Sequence, residues 1–209
     1  MKSRIPIAPL LLVFASLIII SGCTSEAVQH NDAGYELWEQ GNLEEAIAEY
    51  NEAIRLDPDM ATAYSNRGSA YFGLGQYDLA LADCNRAIEL NPSLGSAYNN
   101  RGLAHWEVGQ WAESLEDFTK SIELAPNVAM PYHNRGVRFV FLEYYELAIA
   151  DLNKAIELEP NNAMFYEDRA ITYSLIGLDT EAQRDIDQAV ELGSDRAELE
   201  QFIEQMKQQ

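Results

Sequence analysis

The sequence predicts an all-α solenoid of five repeated helical units. Three observations predict it. Residue pairs ending in proline recur every 34 residues: Asp57-Pro58, Asn91-Pro92, Ala125-Pro126 and Glu159-Pro160. Asn66-Arg67-Gly68, Asn100-Arg101-Gly102 and Asn134-Arg135-Gly136 keep the same spacing, with Asp168-Arg169-Ala170 next in register. So do Ala53-Ile54, Ala87-Ile88, Ser121-Ile122, Ala155-Ile156 and Ala189-Val190. One such unit cannot bury its apolar face alone, so neighbours must stack into a continuous core.

The first 22 residues stand apart from this pattern. Lys2 and Arg4 make a basic start, and Leu10 to Ile20 is an apolar run broken only by Ser16. A bilayer span needs roughly 20 apolar residues, so this run fits the core of a signal peptide instead. It ends Ile20-Ser21-Gly22-Cys23, which resembles the lipobox of bacterial lipoproteins. The resemblance implies a signal peptide over 1–22, cleavage before Cys23, lipid on its sulfur and a short tether over 23–26. Two or more acyl chains anchor a protein stably, at roughly 0.8 kcal/mol per buried methylene. Thr24 stands where an aspartate tends to retain such proteins at an inner membrane. By that analogy the chain sits on the outer membrane, facing the periplasm.

From residue 27 the repeats are 27–60, 61–94, 95–128, 129–162 and 163–196, with no insertion. Their period and their fixed small and aromatic places resemble the tetratricopeptide repeat (TPR), a pair of antiparallel helices, A and B. Gly68, Gly102 and Gly136 at repeat position 8 allow close helix approach, as do Ala46, Ala80, Ser114, Ala148 and Ala182 at position 20. Tyr64, Tyr98, Tyr132 and Tyr166 at position 4 fill volume, with Tyr71, His105, Phe139 and Tyr173 at position 11. Gly41, Gly75, Gly109 and Gly177 suit a left-handed residue at the A-to-B turn, where repeat 4 carries Glu143. Proline at position 32 ends helix B. Residues 197–209 carry Leu199, Phe202, Ile203 and Met206 at helical spacing and read as a capping helix over the last helix B.

Arginine recurs at position 7 and aspartate at position 23. The pairs are Arg67 with Asp83, Arg101 with Asp117, Arg135 with Asp151 and Arg169 with Asp185. A guanidinium and a carboxylate match as a bidentate pair, so these are expected to bridge helices A and B within each repeat.

The resemblance also implies a right-handed superhelix whose helices A line an inner groove. Position 6 holds Asn66, Asn100 and Asn134, whose amides both donate and accept. They either hydrogen-bond the backbone of an extended peptide or tie neighbouring helices together. Trp106, Val137, Val140 and Phe141 fall at or beside positions that face the groove in this family, and His133 stands alone on that side. Apolar side chains there are either packing or a partner surface. The hot region is expected in repeats 3–5. TPR clamps that hold a terminal carboxylate use Lys or Arg at positions 2, 5 or 9, and no repeat here has one.

The charge excludes other classes. The 209 residues carry 34 Asp and Glu against 14 Lys and Arg, a net charge of −20. Nucleic acid needs clustered cations, so it is not an expected partner. Cys23 and Cys84 cannot build a disulfide framework or a four-ligand zinc site. Three histidines and scattered serines match no catalytic spacing. The chain therefore reads as a non-enzymatic adaptor with neither cofactor nor metal. It is expected to bind protein or peptide segments in the cell envelope, attached to the membrane through Cys23. Known envelope TPR lipoproteins suggest scaffolding of cell-wall enzymes, or assistance to pilus or secretin assembly. The alternative is a homo-oligomer whose groove is filled by its own copies.

Overall fold

The computed structural model describes the backbone of residues 14–207 and the side chains of residues 26–207. The basic start, Lys2 and Arg4, lies outside the described residues, and so does the Cys23 side chain. Among the described residues there are eleven helices and no strand. None of those helices is long and apolar enough to cross a membrane.

The chain forms two compact units, one ending at Pro92 and the other starting at Ser93. The first contains α1 (Phe14–Glu39), α2 (Leu43–Leu56), α3 (Ala61–Gly73) and α4 (Tyr77–Leu90). Helix α1 starts ahead of the first repeat and passes through residues 23–26 without a break. The second unit contains α5 (Gly95–Glu107), α6 (Trp111–Leu124), α7 (Ala129–Phe141), α8 (Tyr145–Leu158), α9 (Ala163–Leu175), α10 (Asp179–Glu191) and α11 (Arg196–Lys207). In each unit the odd and even helices pair as consecutive neighbours, and each pair packs on the next.

Local sequence sets these boundaries. Helices α2, α4, α6, α8 and α10 each place a carboxylate in the first turn, where the helix dipole favours it. Asp57, Asn91, Ala125 and Glu159, each just before a proline, have φ between −134 and −140 and leave helical geometry. Within a pair, position 8 receives the large residue at position 24. A Cβ added to Gly34 would lie 2.6 Å from the Tyr50 ring, and one on Gly102 would lie 3.0 Å from Phe118. Tyr50 and Phe118 are fully buried as a result. Repeat 3 replaces two buried alanines by serines without leaving a hydroxyl unpaired. Ser114 donates to the Gly102 carbonyl at 2.7 Å and Ser121 to the Gly95 carbonyl at 2.8 Å.

Helix α11 ends the second unit. Leu199 and Ile203 pack into a buried cluster with Ala170, Ile171, Ile186 and Ala189. Arg196 pairs with Asp187 and Lys207 with Asp179, which ties both ends of α11 to α10.

The turn between paired helices needs a left-handed residue. Gly41, Gly75, Gly109 and Gly177 adopt φ of 72 to 79, and Glu143 adopts 62 in the corresponding turn between α7 and α8. A residue with a Cβ pays roughly 1 kcal/mol for that conformation, which glycine avoids. Glu143→Gly is therefore expected to raise stability by about 0.5–1 kcal/mol, read as an increased urea midpoint with an unchanged slope.

Candidate functional site

Polar residues on the odd-numbered helices are mostly committed to their neighbours. Asn66 on α3 donates its amide to Asn31 Oδ1 on α1 at 3.0 Å. In the second unit Asn134 on α7 donates to Asn99 Oδ1 on α5 at 2.9 Å, and Asn99 donates to Asn100 Oδ1 at 3.3 Å. His133 Nε2 meets Asp168 Oδ2 on α9 at 2.5 Å, and its ring lies 4.9 Å from that of Phe165. The Asn31–Asn66, Asn99–Asn134 and His133–Asp168 links each join position 5 of one repeat to position 6 of the next. Asn134 and His133 are only 5% and 6% exposed. His133 was expected on the groove side, and Asn134 either to bond a peptide or to tie neighbouring helices. Both lie inside the joint between successive helices, which corrects the first and selects the second reading of the other. The reason is geometric. Positions 5 and 6 of adjacent repeats meet where helices A touch, so short polar side chains satisfy each other there before any guest arrives.

The arginines are committed too. Arg67, Arg101, Arg135 and Arg169 each present Nε and one terminal nitrogen to both oxygens of Asp83, Asp117, Asp151 and Asp185, at 2.6–2.9 Å. All four aspartates are buried. The remaining nitrogen of Arg67 reaches Asn51 on α2, that of Arg135 reaches Thr119 on α6, and that of Arg169 reaches Asn153 on α8. Aromatic rings flank the guanidinium groups, with Tyr64 and Tyr71 beside Arg67 and Tyr166 and Tyr173 beside Arg169. The hydrogen bonds that Arg67 donates to Asp83 raise its pKa against the opposing effect of burial.

The second unit keeps an apolar cleft open. Val137, Val140 and Phe141 on α7, Ile171 and Leu175 on α9, and Phe202 and Met206 on α11 line a cleft of about 450 Å³. Glu143, Tyr145 and Asp168 complete its wall. Phe141 is 64% exposed, although a phenylalanine on a packed helix would normally be covered. Its ring meets Trp106 edge-on at 5.3 Å and Trp111 at 5.9 Å, so the cleft continues into an aromatic patch. Arg138 lies beneath that patch, its guanidinium 5.5 Å from the Trp106 ring and 6.0 Å from Phe118. Burial lowers the pKa of Arg138, while Glu107 and Asp168 pull it back up. Its Nε is buried without a partner.

A second hollow, of about 360 Å³, adjoins the first and shares Asp168, Ile171 and Phe202 with it. Its other walls are Glu167, Asp195, Glu198 and Leu199. The structure thus brings Val137, Val140 and Phe141 to one wall, places Trp106 beside them, and keeps His133 and Asn134 out. Leu175, Phe202, Met206 and Trp111 join the site without having been assigned to it from sequence. For Phe202 and Met206 the signal was present in the apolar stripe of α11. Among the described residues no three His, Cys, Asp or Glu side chains gather closely enough to hold a metal.

Tetratricopeptide-repeat family models match residues 34–75, 61–94, 95–128, 131–162 and 152–191, together well over half of the chain. No curated protein matches the sequence. Solved structures do. PilF of Pseudomonas aeruginosa is 18% identical with a TM-score of 0.76, covering 85% of this chain and 81% of its own. TTC0263, a thermophilic TPR protein of Thermus thermophilus, is 18% identical with a TM-score of 0.73, over 86% and 98% of the two chains. YrrB, described as a TPR protein with an unusual peptide-binding site, is 21% identical with a TM-score of 0.59, over 88% and 93%.

The ion pairs and the open cleft use different side chains. Arg101→Ala would leave Asp117 buried and stripped of its bidentate partner, a change that costs roughly 3 kcal/mol. A markedly lower urea midpoint is expected, with little change at the cleft. A midpoint within error of the parent would show that the pair does not hold the helices.

Proposed function

The chain belongs to the tetratricopeptide-repeat family, and we propose that it is a protein-interaction adaptor. It seats a segment of another protein in the cleft between α7, α9 and α11. The observation that carries this reading is the open apolar cleft itself, with Phe141 left standing in solvent at its edge. An exposed apolar surface beside committed polar neighbours is what a partner site requires. Burying it against an apolar side chain contributes roughly 25 cal/mol per Å². The walls are held by the packed helix pairs, so binding orders little of the receptor. Met206 adds a side chain that adapts its shape to different guests. That YrrB, a protein of similar fold, is described as having a peptide-binding site is consistent with this use of the architecture.

The finer part of the proposal is location. Lys2, Arg4, the apolar run and Ile20-Ser21-Gly22-Cys23 support a lipoprotein tethered through Cys23. Thr24 favours the outer membrane, facing the periplasm. There the adaptor would hold cell-wall enzymes, or parts of a pilus or secretin, at one membrane face. Confinement raises the effective concentration of whatever it carries.

Two measurements test these readings. Val140→Asp puts a carboxylate into the apolar wall and is expected to weaken segments selected from a displayed peptide library by tenfold or more, about 1.4 kcal/mol, at unchanged melting temperature. Undiminished binding would remove the cleft as the contact surface, and light scattering that shows a stable oligomer covering the cleft would favour self-association instead. Cys23→Ser is expected to abolish incorporation of labelled palmitate and move the chain out of the membrane fraction. Unchanged palmitate labelling would sink the tether at Cys23.

A further inference from the structure

We propose that the cleft is selective for segments that pair a large apolar side chain with a nearby lysine or arginine. This rests on the adaptor reading and specifies its partner. The apolar hollow and the acidic one are continuous, because Asp168, Ile171 and Phe202 line both. An anchor side chain lying against Val140, Ile171 and Phe202 therefore leaves its neighbours in the segment beside Glu167, Asp195 and Glu198. Four carboxylates face this second hollow and no cation lines it.

Two of the four are already used. Asp168 takes the His133 hydrogen bond and feels the charge of Arg138. Asp195 Oδ1 accepts the backbone N–H of Glu198 at 3.0 Å, at the start of α11. Among the described residues neither Glu167 nor Glu198 has a salt-bridge partner. A visiting cation gains its full attraction from them without breaking an existing pair. An anionic segment, or an anionic lipid headgroup, would meet repulsion at the same place. A second copy of the chain is a poor source of that cation. The protein has only 14 Lys and Arg against 34 Asp and Glu, and Arg67, Arg101, Arg135 and Arg169 are locked into ion pairs.

The test uses a randomised library of 12-residue peptides displayed on phage and panned against the immobilised full chain. The same panning is done on the Glu167→Gln/Glu198→Gln double variant, with melting curves to confirm folding. Selected sequences are expected to carry Lys or Arg within a few residues of a Leu, Phe, Trp or Met. Replacing that cation by Glu in a synthetic copy is expected to weaken binding by about tenfold. Raising the salt to about 0.5 M should shrink the difference, since these carboxylates are near solvent. The double variant should lose the basic enrichment. Apolar peptides enriched without Lys or Arg, or a basic preference kept by the double variant, would overturn this inference and leave the adaptor reading standing. A library that yields no binder at all would overturn both.

Discussion

The arginine at position 7 is the constraint on which each unit depends. One planar guanidinium occupies both oxygens of a buried aspartate on its own helix pair, and Arg67, Arg135 and Arg169 also reach a side chain on the preceding pair. Two tyrosine rings close over Arg67 and over Arg169. Apolar packing alone fixes distance between helices poorly, since alanine stripes slide. A bidentate ion pair fixes rotation and height as well, because both oxygens must be met in plane. Lysine could not do this, having a single charged head and no fork. The result is a stack whose helices A arrive at a defined angle, which is the precondition for any cleft between them.

Much of this was legible in the sequence, for physical reasons that differ by residue. The prolines and turn glycines act through their own backbones, so their effect is local and can be read directly. The arginine–aspartate pairs are legible because the two residues recur together at a constant separation. Asn66 and Asn134 were ambiguous because an amide that serves a neighbouring helix is chemically the same as one that serves a peptide. His133 was misplaced for a related reason. Its partner, Asp168, sits one residue more than a full repeat away, and only the parallel with Asn31–Asn66 and Asn99–Asn134 exposes the rule. Glu143 shows the opposite case: the residue type departs from the pattern while the backbone keeps it.

The cleft was legible only in part. Val137, Val140 and Phe141 depart from the usual preferences of an exposed helix, which marks them. The opposite wall could not be read from periodicity. Leu199, Phe202, Ile203 and Met206 form one stripe in sequence, yet Leu199 and Ile203 are buried while Phe202 stays 47% exposed. The underlying helices cover Leu199 and Ile203 but not Phe202, so the stripe serves as both seal and rim. The same helix thus closes the core and opens a site.

The two kinds of contact divide the labour between the inside of a repeat and its borders. The fit of Tyr50 against Gly34, or Phe118 against Gly102, is contained within a single cassette. A cassette copied or deleted whole by unequal recombination carries that fit along. The polar joints do not travel. His133 is matched to Asp168 in the following cassette, and Asn99 to Asn134. Shuffling would bring mismatched edges together and strand a buried imidazole beside the wrong neighbour. The order of the modules is therefore written into their seams.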